Sequence, residues 1–226
     1  MVNVRAAEAV QDPETEASSQ AANLDYLEVP GPRLHVVGPE GSGIDLTRAA
    51  AAVADLLDAL GVDRTGAGLV DTPMRVARAY ADLLTPEPFE ATTFPNSDGY
   101  DELVVEMGIT FSSLCEHHLL PFEGVAHVGY LPAERLVGLS KLARVVSHFS
   151  RRLQVQERLT SQIADWLDTK LHPRGIGVVL EAEHACLSTR GARAYGARTV
   201  TSALRGLVRD DERTRAEFLA LTAGRP

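Results

Sequence analysis

The spacing of apolar residues divides the chain into a polar beginning and a patterned remainder. Residues 1–43 are polar, acidic and interrupted by Pro and Gly, so we predict a mostly disordered extension there. Over residues 44–63 apolar side chains recur at intervals of three and four, which predicts a helix that ends at Gly61. A second helix is predicted to follow, with Asp71 as its capping residue and Pro73 in its first turn.

The rest of the chain alternates between two kinds of pattern. Segments rich in β-branched and apolar residues predict four strands, over residues 101–114, 124–132, 176–188 and 197–207. Segments with helical spacing predict three helices, over residues 140–153, 154–171 and 210–222, the last one capped. Two strands, two helices and two strands in this order predict an α+β domain with an antiparallel sheet. We take residues 44–226 as one domain, with N-terminal helices over 44–85 and its core over 100–226.

Composition and charge narrow the function classes. The formal net charge of the 226 residues is −9, which argues against a general nucleic-acid binder but allows a local basic pocket for an anion. No apolar run approaches the ~20 residues of a membrane-spanning helix, and the N-terminus does not have the pattern of a secretory signal. We therefore expect a cytoplasmic protein, in which the two cysteines are not a disulfide.

The segment SSLCEHHLLPF, residues 112–122, places candidate metal ligands side by side. Cys115 and His118 are separated by two residues, a spacing that lets a thiolate and an imidazole reach one ion. The second cysteine, Cys186, is expected near the end of a strand, with His184 on the same face two residues earlier. We predict that Cys115, His118 and Cys186 bind zinc, with His117 and His184 nearby as free histidines.

Three protein ligands leave a fourth position for water, which is typical of a catalytic zinc. Such an ion would lower the pKa of its water toward ~7, and the free histidines would then donate or accept protons. Two other readings stay open from the residues alone. The cysteines could be buried apolar residues, or Cys115 could be a nucleophile paired with His117, which would leave Cys186 and His184 unexplained.

Three further stretches carry polar groups suited to a ligand. Ser140, Lys141 and Arg144 lie at a predicted helix start, where a phosphate can bind, although a solvated helix face has the same pattern. Glu157, with Gln156 beside it, is either an exposed helix residue or a carboxylate that reads the N–H groups of a ligand. Arg190 follows Cys186 closely enough to serve an anion at the same site. Together these features predict a zinc hydrolase acting on a phosphorylated, nitrogen-rich small molecule.

Five segments occur together in an order and spacing that resemble the GTP cyclohydrolase I family. They are CEHHLLPFEG, GLSKLARVV, RRLQVQERLT, EAEHACLSTRG and TVTSALRGL. The resemblance runs from about residue 45 to residue 222 and is densest over 111–206. It implies the tunnelling fold, a four-stranded antiparallel sheet with two helices inserted between its second and third strands. It also implies a toroidal homodecamer with active sites at subunit interfaces.

The resemblance further implies a reaction and a role for each matching residue. The family converts GTP and water to 7,8-dihydroneopterin triphosphate and formate, the first step of tetrahydrofolate and pterin biosynthesis. By resemblance, Cys115, His118 and Cys186 are the zinc ligands, His184 is the proton donor to the purine, and His117 is its companion acid or base. The implied substrate contacts are Glu157 with Gln156 to the guanine, Ser140 to the ribose, Lys141, Arg144 and Arg190 to the triphosphate, and Arg78 as a further cation.

The sequence also departs from the family pattern. Met107-Gly108 stands where many relatives carry Arg-Asp, and Ala185 and Leu187 flank Cys186 where bulkier side chains are common. None of these changes removes a predicted ligand or acid–base residue. Two other functions therefore stay open, a related tunnelling-fold enzyme for another purine or pterin and a non-catalytic nucleotide-binding paralogue.

Overall fold

The structure is a computed structural model that describes residues 34–35 and 43–223. Most of the extension predicted over residues 1–43 lies outside the described residues, so its disorder stays a prediction. Within it, β1 (Leu34–His35) pairs antiparallel with β2 (Glu90–Ala91). A second small pair joins β3 (Thr93–Pro95) to β6 (Arg135–Val137).

The two predicted N-terminal helices are present as α1 (Leu46–Ala59) and α2 (Thr72–Leu84). Asp45 caps α1, since its carboxylate accepts the Arg48 N–H at 2.9 Å, and Gly61 follows the helix end with a φ of 74° that favours glycine. Asp71 occupies the N-cap position of α2 as predicted, with Pro73 in the first turn. Its side chain makes no capping hydrogen bond and instead lies 3.6 Å from the guanidinium of Arg75.

The strands and helices follow the predicted order, and they form one antiparallel sheet with two helices packed on it. Its long strands are β4 (Val104–Cys115), β5 (Pro121–Leu131), β8 (Gly175–His184) and β9 (Arg198–Gly206), paired in that order. Two helices, α3 (Leu139–Ser150) and α4 (Gln156–Leu171), lie in the chain between β5 and β8. A two-residue strand, β7 (Leu153–Gln154), adds to β4 in parallel, so the sheet has five strands.

The core lies between this sheet and the two helices. Along α3 and α4 the fully buried residues recur at helical spacing, at Leu142, Val145 and Val146 on the first and at Leu159, Ile163 and Leu167 on the second. Each fully buried aliphatic side chain contributes about 1.5–3 kcal/mol relative to an exposed one. This packing fixes where α4 begins on the sheet, and the first turn of α4 borders the site described below.

Two further features shape the ends of the sheet. The departure at Met107-Gly108 lies in a β-bulge of β4, where Gly108 has a φ of 72° and donates its N–H to His127 Nδ1 at 3.3 Å. After β9 the chain forms α6 (Leu207–Asp210) and α7 (Glu212–Thr222), which Asp211 caps as predicted by accepting the Thr214 N–H. No helix in the described part of the chain is both long and apolar enough to cross a membrane.

Candidate metal and catalytic site

The chain reverses direction immediately after Cys115, the last residue of β4. The Cys115 N–H donates to the Leu120 carbonyl at 2.9 Å, and the Leu119 N–H donates back to the Cys115 carbonyl at 2.9 Å. Leu119 has a φ of 56°, in the left-handed region, which closes the turn. The turn brings the two histidines that follow close to the thiol. Cys115 Sγ lies 3.9 Å from His117 Nδ1 and 3.8 Å from His118 Nδ1.

This turn is held against the neighbouring helices from two sides. The Glu116 carboxylate accepts two hydrogen bonds from the Arg158 guanidinium on α4, at 2.6 and 3.0 Å, and this pair lowers the pKa of Glu116. On the other side, the Tyr80 hydroxyl of α2 donates to the Leu119 carbonyl at 2.8 Å. The positions of His117 and His118 are therefore set by contacts with α2 and α4 as well as by the turn itself.

The second cysteine lies on a short helix, which corrects the sequence prediction. We expected Cys186 within a strand and on the same strand face as His184. Instead β8 ends at His184, which is paired with Phe122, and the chain turns into α5 (Ala185–Ser188), where the Thr189 N–H donates to the Ala185 carbonyl. The physical reason is that the β5 partner of this strand begins at Pro121, so pairing with β5 does not continue past His184.

Cys115, His118 and Cys186 form a group that could hold a metal ion. Their ligand atoms all lie within 4.8 Å of one another, and it is the one such group among the residues that the structure describes. Ligand atoms around a tetrahedral zinc lie roughly 3.4–3.8 Å apart, given bonds of about 2.0–2.3 Å, so a contraction of about 1 Å would suffice. Burial, and then the neighbouring Cys115 thiol, raise the pKa of Cys186, and a bound cation would relieve the cost of ionising both thiols.

His184 stands beside this group in a defined orientation. Its ring stacks on the ring of Phe122 with centroids 4.7 Å apart and planes 5° apart, and its Nε2 lies 2.8 Å from Gln156 Oε1. Burial lowers the pKa of His184, and the carboxylate of Glu157 opposes this shift. The ring is thus held between a strand and the start of α4.

The first turn of α4 presents its two polar residues to different surroundings. Glu157 is exposed and close enough to His184 for its charge to raise the pKa of that histidine. Gln156 is 1% exposed, and its amide makes hydrogen bonds within the protein to Leu180, Thr199, Thr201 and His184. Of the two residues predicted to contact guanine, Glu157 is therefore the one that faces solvent.

The predicted phosphate residues lie at the other end of the sheet. The last residue of α3, Ser150, accepts a hydrogen bond from Ser113 near the end of β4 at 2.6 Å. At a rise of 1.5 Å per residue, Ser140 lies ~15 Å back along α3 from that contact. Arg144 lines a cavity of about 450 Å³ together with residues 106–110 of β4, which lie roughly 17–30 Å along the strand from Cys115.

The two remaining predicted cations differ in their distance from the metal group. Arg190 is exposed and adjacent, since its guanidinium donates to the Cys186 carbonyl at 3.3 Å. Arg78 is exposed on α2, two residues before Tyr80, whose hydroxyl bonds the turn that carries His118. Within one chain, then, the structure brings together the metal group, His117, His184, Glu157 and Arg190, and it separates Ser140, Lys141 and Arg144 from them.

Some contributing residues escaped the sequence analysis. Phe122, Arg158 and Tyr80 contact the site from β5, α4 and α2. Each of these contacts depends on sheet register or helix placement, so no local pattern marks them. Glu116 lay within the quoted motif, but its pairing with Arg158 depends on how α4 lies against the turn.

The chain is similar to proteins of one known family. Residues 49–223 match the family model described as GTP cyclohydrolase I. A GTP cyclohydrolase 1 of Thermobifida fusca is 51% identical, over 81% of this chain and 91% of that protein. A GTP cyclohydrolase 1 of Aquifex aeolicus is 49% identical, over 80% and 98%, and one of Streptomyces griseus is 53% identical, over 80% and 92%.

One solved structure is also similar, the archaeosine synthase QueF-Like in the apo form. The match has 15% identity and a TM-score of 0.39, and it covers 46% of this chain and 93% of that one. A score at this level carries no weight for the fold or the activity of the present chain.

Proposed function

Because the chain belongs to the GTP cyclohydrolase I family, we propose that it converts GTP and water to 7,8-dihydroneopterin triphosphate and formate. The observation that carries the proposal is the meeting of Cys115, His118 and Cys186 beside His184 at one end of the sheet. These residues come from two segments that lie about 65 residues apart in the chain. A nucleotide-binding module without activity would need neither the ligand group nor the adjacent histidines.

We propose zinc as the ion held by Cys115, His118 and Cys186. Two thiolates and one imidazole suit zinc better than the oxygen-preferring calcium or magnesium. Bound there, zinc supplies the Lewis acidity that makes water a nucleophile at neutral pH. Three protein ligands would leave a fourth coordination position for water.

The two free histidines would handle protons on either side of the purine. His184 is assigned the proton donor to the imidazole ring of guanine, and the burial that lowers its pKa makes its protonated form a stronger acid. His117 is more exposed, and its Nε2 lies 3.8 Å from the Glu116 carboxylate. Acid–base groups placed in this way contribute typically 10²–10⁴-fold each to a rate.

Substrate binding would be divided between a purine end and a phosphate end. Glu157 would accept the N–H groups at the guanine edge, with Gln156 behind it. Arg190 and the more remote Arg78 would lie on the approach to the metal group, where cations attract the triphosphate despite the acidic net charge. Ser140, Lys141 and Arg144 would bind ribose and phosphates.

The separation of these two ends supports a site that is completed by another copy of the chain. Ser140 lies some 20 Å from Cys115, by the ~15 Å of helix plus the two-residue step along the strand from Ser113 to Cys115. The triphosphate of one GTP does not extend that far from its purine C8. We propose that the phosphate residues of one subunit serve the metal group of its neighbour, in a toroidal decamer of tunnelling-fold subunits.

The unpaired edge of β9 gives such an assembly a place to form. Within the described residues β9 pairs with β8 on one side and with no strand on the other, and Val200 on it is 62% exposed. A nine-residue edge strand with open backbone groups is a template for pairing with a second chain.

The proposal is tested by incubating purified, metal-analysed protein with GTP and following formate release and pterin absorbance together. We expect zinc near one per chain and equimolar formation of both products. Zinc without turnover on GTP would refute the proposal and direct the search to other purine nucleotides. Turnover that persists after complete zinc removal would refute the metal assignment while retaining the activity.

A further inference from the structure

The buried amide of Gln156 determines which nitrogen of His184 carries the proton. We propose that Gln156 is a positioning residue, which keeps the proton of neutral His184 on Nε2 and leaves Nδ1 as the nitrogen that exchanges protons with the substrate. This inference rests on the proposed function, because it takes His184 to act on the purine. It changes the expected role of Gln156 from guanine contact to orientation of the histidine.

The orientation of the Gln156 amide follows from the groups around its nitrogen. Gln156 Nε2 lies 3.1 Å from the Leu180 carbonyl and 2.9 Å from the Thr199 carbonyl. Carbonyl oxygens only accept hydrogen bonds, so the amide nitrogen must be on this side. If the amide were turned over, Oε1 would face two carbonyl oxygens in the protein interior, and burying such unpaired acceptors costs about 1–3 kcal/mol each.

The hydroxyl groups of two threonines support the same orientation of the Gln156 amide. The Thr160 hydroxyl donates to the Gln156 backbone carbonyl at 2.7 Å, so its oxygen accepts from the Thr201 hydroxyl, 2.6 Å away. Thr201, having donated its hydrogen, can act only as an acceptor toward Gln156 Nε2, 3.1 Å away, and the two amide hydrogens are shared among this oxygen and the two carbonyls. The donors run in one direction around a closed loop that starts and ends at Gln156, and Thr160 and Gln156 are each 1% exposed.

Gln156 Oε1 therefore points at His184 Nε2 as an acceptor, at 2.8 Å. An acceptor at this distance requires an N–H, so the proton of neutral His184 is on Nε2. The face-to-face stack on Phe122 fixes the ring plane, and turning the ring over within that plane would break the bond to Gln156. His184 Nδ1 makes no hydrogen bond to any residue described in the structure, which leaves it available to a substrate.

The tautomer of His184 determines which of its nitrogens gives a proton to the substrate. A proton delivered to guanine by His184 would come from Nδ1 of the doubly protonated ring, and the ring would return to the Nε2–H form that Gln156 stabilises. No new bond to Gln156 forms or breaks in this cycle. Gln156 acts through His184 and does not touch the reacting atoms.

The first test replaces Gln156 by a side chain of similar length without the amide. In Gln156→Met we expect kcat for GTP to fall about 10- to 100-fold, by analogy with the loss of the hydrogen-bond partner of a metal-binding histidine. The KM for GTP should change by less than about threefold, since no substrate contact is removed. The matched control is Gln162→Met on the same helix, whose side chain bonds Gln154 and not His184, and whose kcat should stay within about twofold.

The second test examines the unaltered protein and so does not depend on a variant that folds. Solid-state NMR of zinc-loaded protein labelled with ¹⁵N-histidine, with His184 assigned by its loss in His184→Asn, reports the protonated nitrogen directly. We expect Nε2–H in the wild type and a mixture of the two tautomers in Gln156→Met.

The outcomes separate this inference from the proposed function. A wild type that releases no formate from GTP would refute the function, whatever the NMR result. An active wild type with His184 in the Nδ1–H form would overturn the inference alone. So would a Gln156→Met enzyme with unchanged kcat, or one in which KM rises while kcat stays the same, because the latter would indicate a direct substrate contact.

Discussion

The ring of His184 stacks on the ring of Phe122, with the centroids 4.7 Å apart and an angle of 5° between the two ring planes. The two residues are cross-strand partners, at the last paired position of β8 and the second position of β5. The imidazole plane is thus set by sheet register before any ligand binds. Such preorganisation is what a proton-transfer residue requires.

We predict that Phe122→Leu lowers turnover without loss of metal. The smaller side chain leaves the imidazole free to tilt, and kcat for GTP should fall about tenfold, within the range expected for misplacement by about 1 Å. Zinc content should stay unchanged, because the substitution touches no ligand. The measurement is steady-state kinetics together with metal analysis.

Phe111→Leu is the matched control, since Phe111 packs edge-on against Phe122 with centroids 6.1 Å apart and is equally part of the core. Both variants should lose stability, by about 1–3 kcal/mol. An equal loss of kcat in the two would show that core disruption, and not the stack on His184, is responsible.

The main elements of the fold were predictable because their patterns are long. The four long strands of the sheet and the helices α3 and α4 each extend over nine residues or more, so the period of their apolar spacing is unambiguous. The strands β2, β3, β6 and β7 have two or three residues, too few to show a period, and they form because neighbouring segments are brought alongside. The predicted helix over 140–153 ends at Ser150 for the same reason, since Leu153–Gln154 pair with β4 instead.

The site was predictable where its residues are contiguous or bear distinctive chemistry. Cys115 and His118 share one turn, so their spacing in the sequence was enough to predict that they lie close together. The predicted position of Cys186 relative to His184 was wrong, because the residue at which a strand ends depends on the strand that pairs with it. That Gln156 is buried against His184 depends on how α4 lies on β8 and β9, a long-range relationship that the residues around position 156 do not encode.

We predict that Glu157→Ala weakens GTP binding more than it slows chemistry. Hydrogen bonds to a charged carboxylate contribute about 1.5–3 kcal/mol, so the Kd for GTP should rise about 10- to 150-fold. Isothermal titration with a non-hydrolysable GTP analogue measures this directly. Glu183→Ala is the control, since Glu183 is an exposed carboxylate one residue before His184. Unchanged affinity in Glu157→Ala would contradict the guanine-anchor role.

We predict that two inactive variants restore activity when they are mixed. Cys186→Ala removes the metal end of the site and Lys141→Ala removes the phosphate end, and the two ends lie too far apart to serve one GTP within a subunit. After dissociation and reassembly at equal amounts, about a quarter of interfacial sites receive both intact ends.

Formate release by the reassembled mixture measures the effect, with each variant reassembled alone as its control. Recovery toward about a quarter of wild-type activity supports the shared site. A mixture no more active than the two variants separately, in hetero-oligomers verified by native mass spectrometry, would place the whole site within one subunit.

His148 gives the fold a pH-dependent stability. Its ring is 2% exposed; Nδ1 lies 3.3 Å from the Glu87 carbonyl and Nε2 2.6 Å from the Arg152 guanidinium. Burial lowers the pKa of His148, the Arg152 charge lowers it further, and the Glu87 hydrogen bond opposes the shift. In the unfolded chain His148 has its ordinary pKa of about 6.5, so below that pH the unfolded chain binds more protons than the folded one. The free energy of unfolding is therefore at its full value above that pH and decreases as the pH falls below it.

The denaturant midpoint of the wild type should accordingly decrease between pH 7.5 and pH 5.5. In His148→Gln, which keeps a donor for Glu87 and an acceptor for Arg152, the decrease should be smaller. Equal pH dependence in both proteins would assign the effect to other groups.

The most direct test of the central claim compares Cys186→Ala with His117→Ala. The account predicts that Cys186→Ala loses its zinc and at least ~10³-fold of its turnover on GTP, with helical content retained. His117→Ala should keep zinc near one per chain while turnover falls about 10²–10⁴-fold. Zinc content and formate release measured side by side distinguish a ligand from an acid–base residue, and a Cys186→Ala protein that turns over GTP normally without zinc would contradict the account.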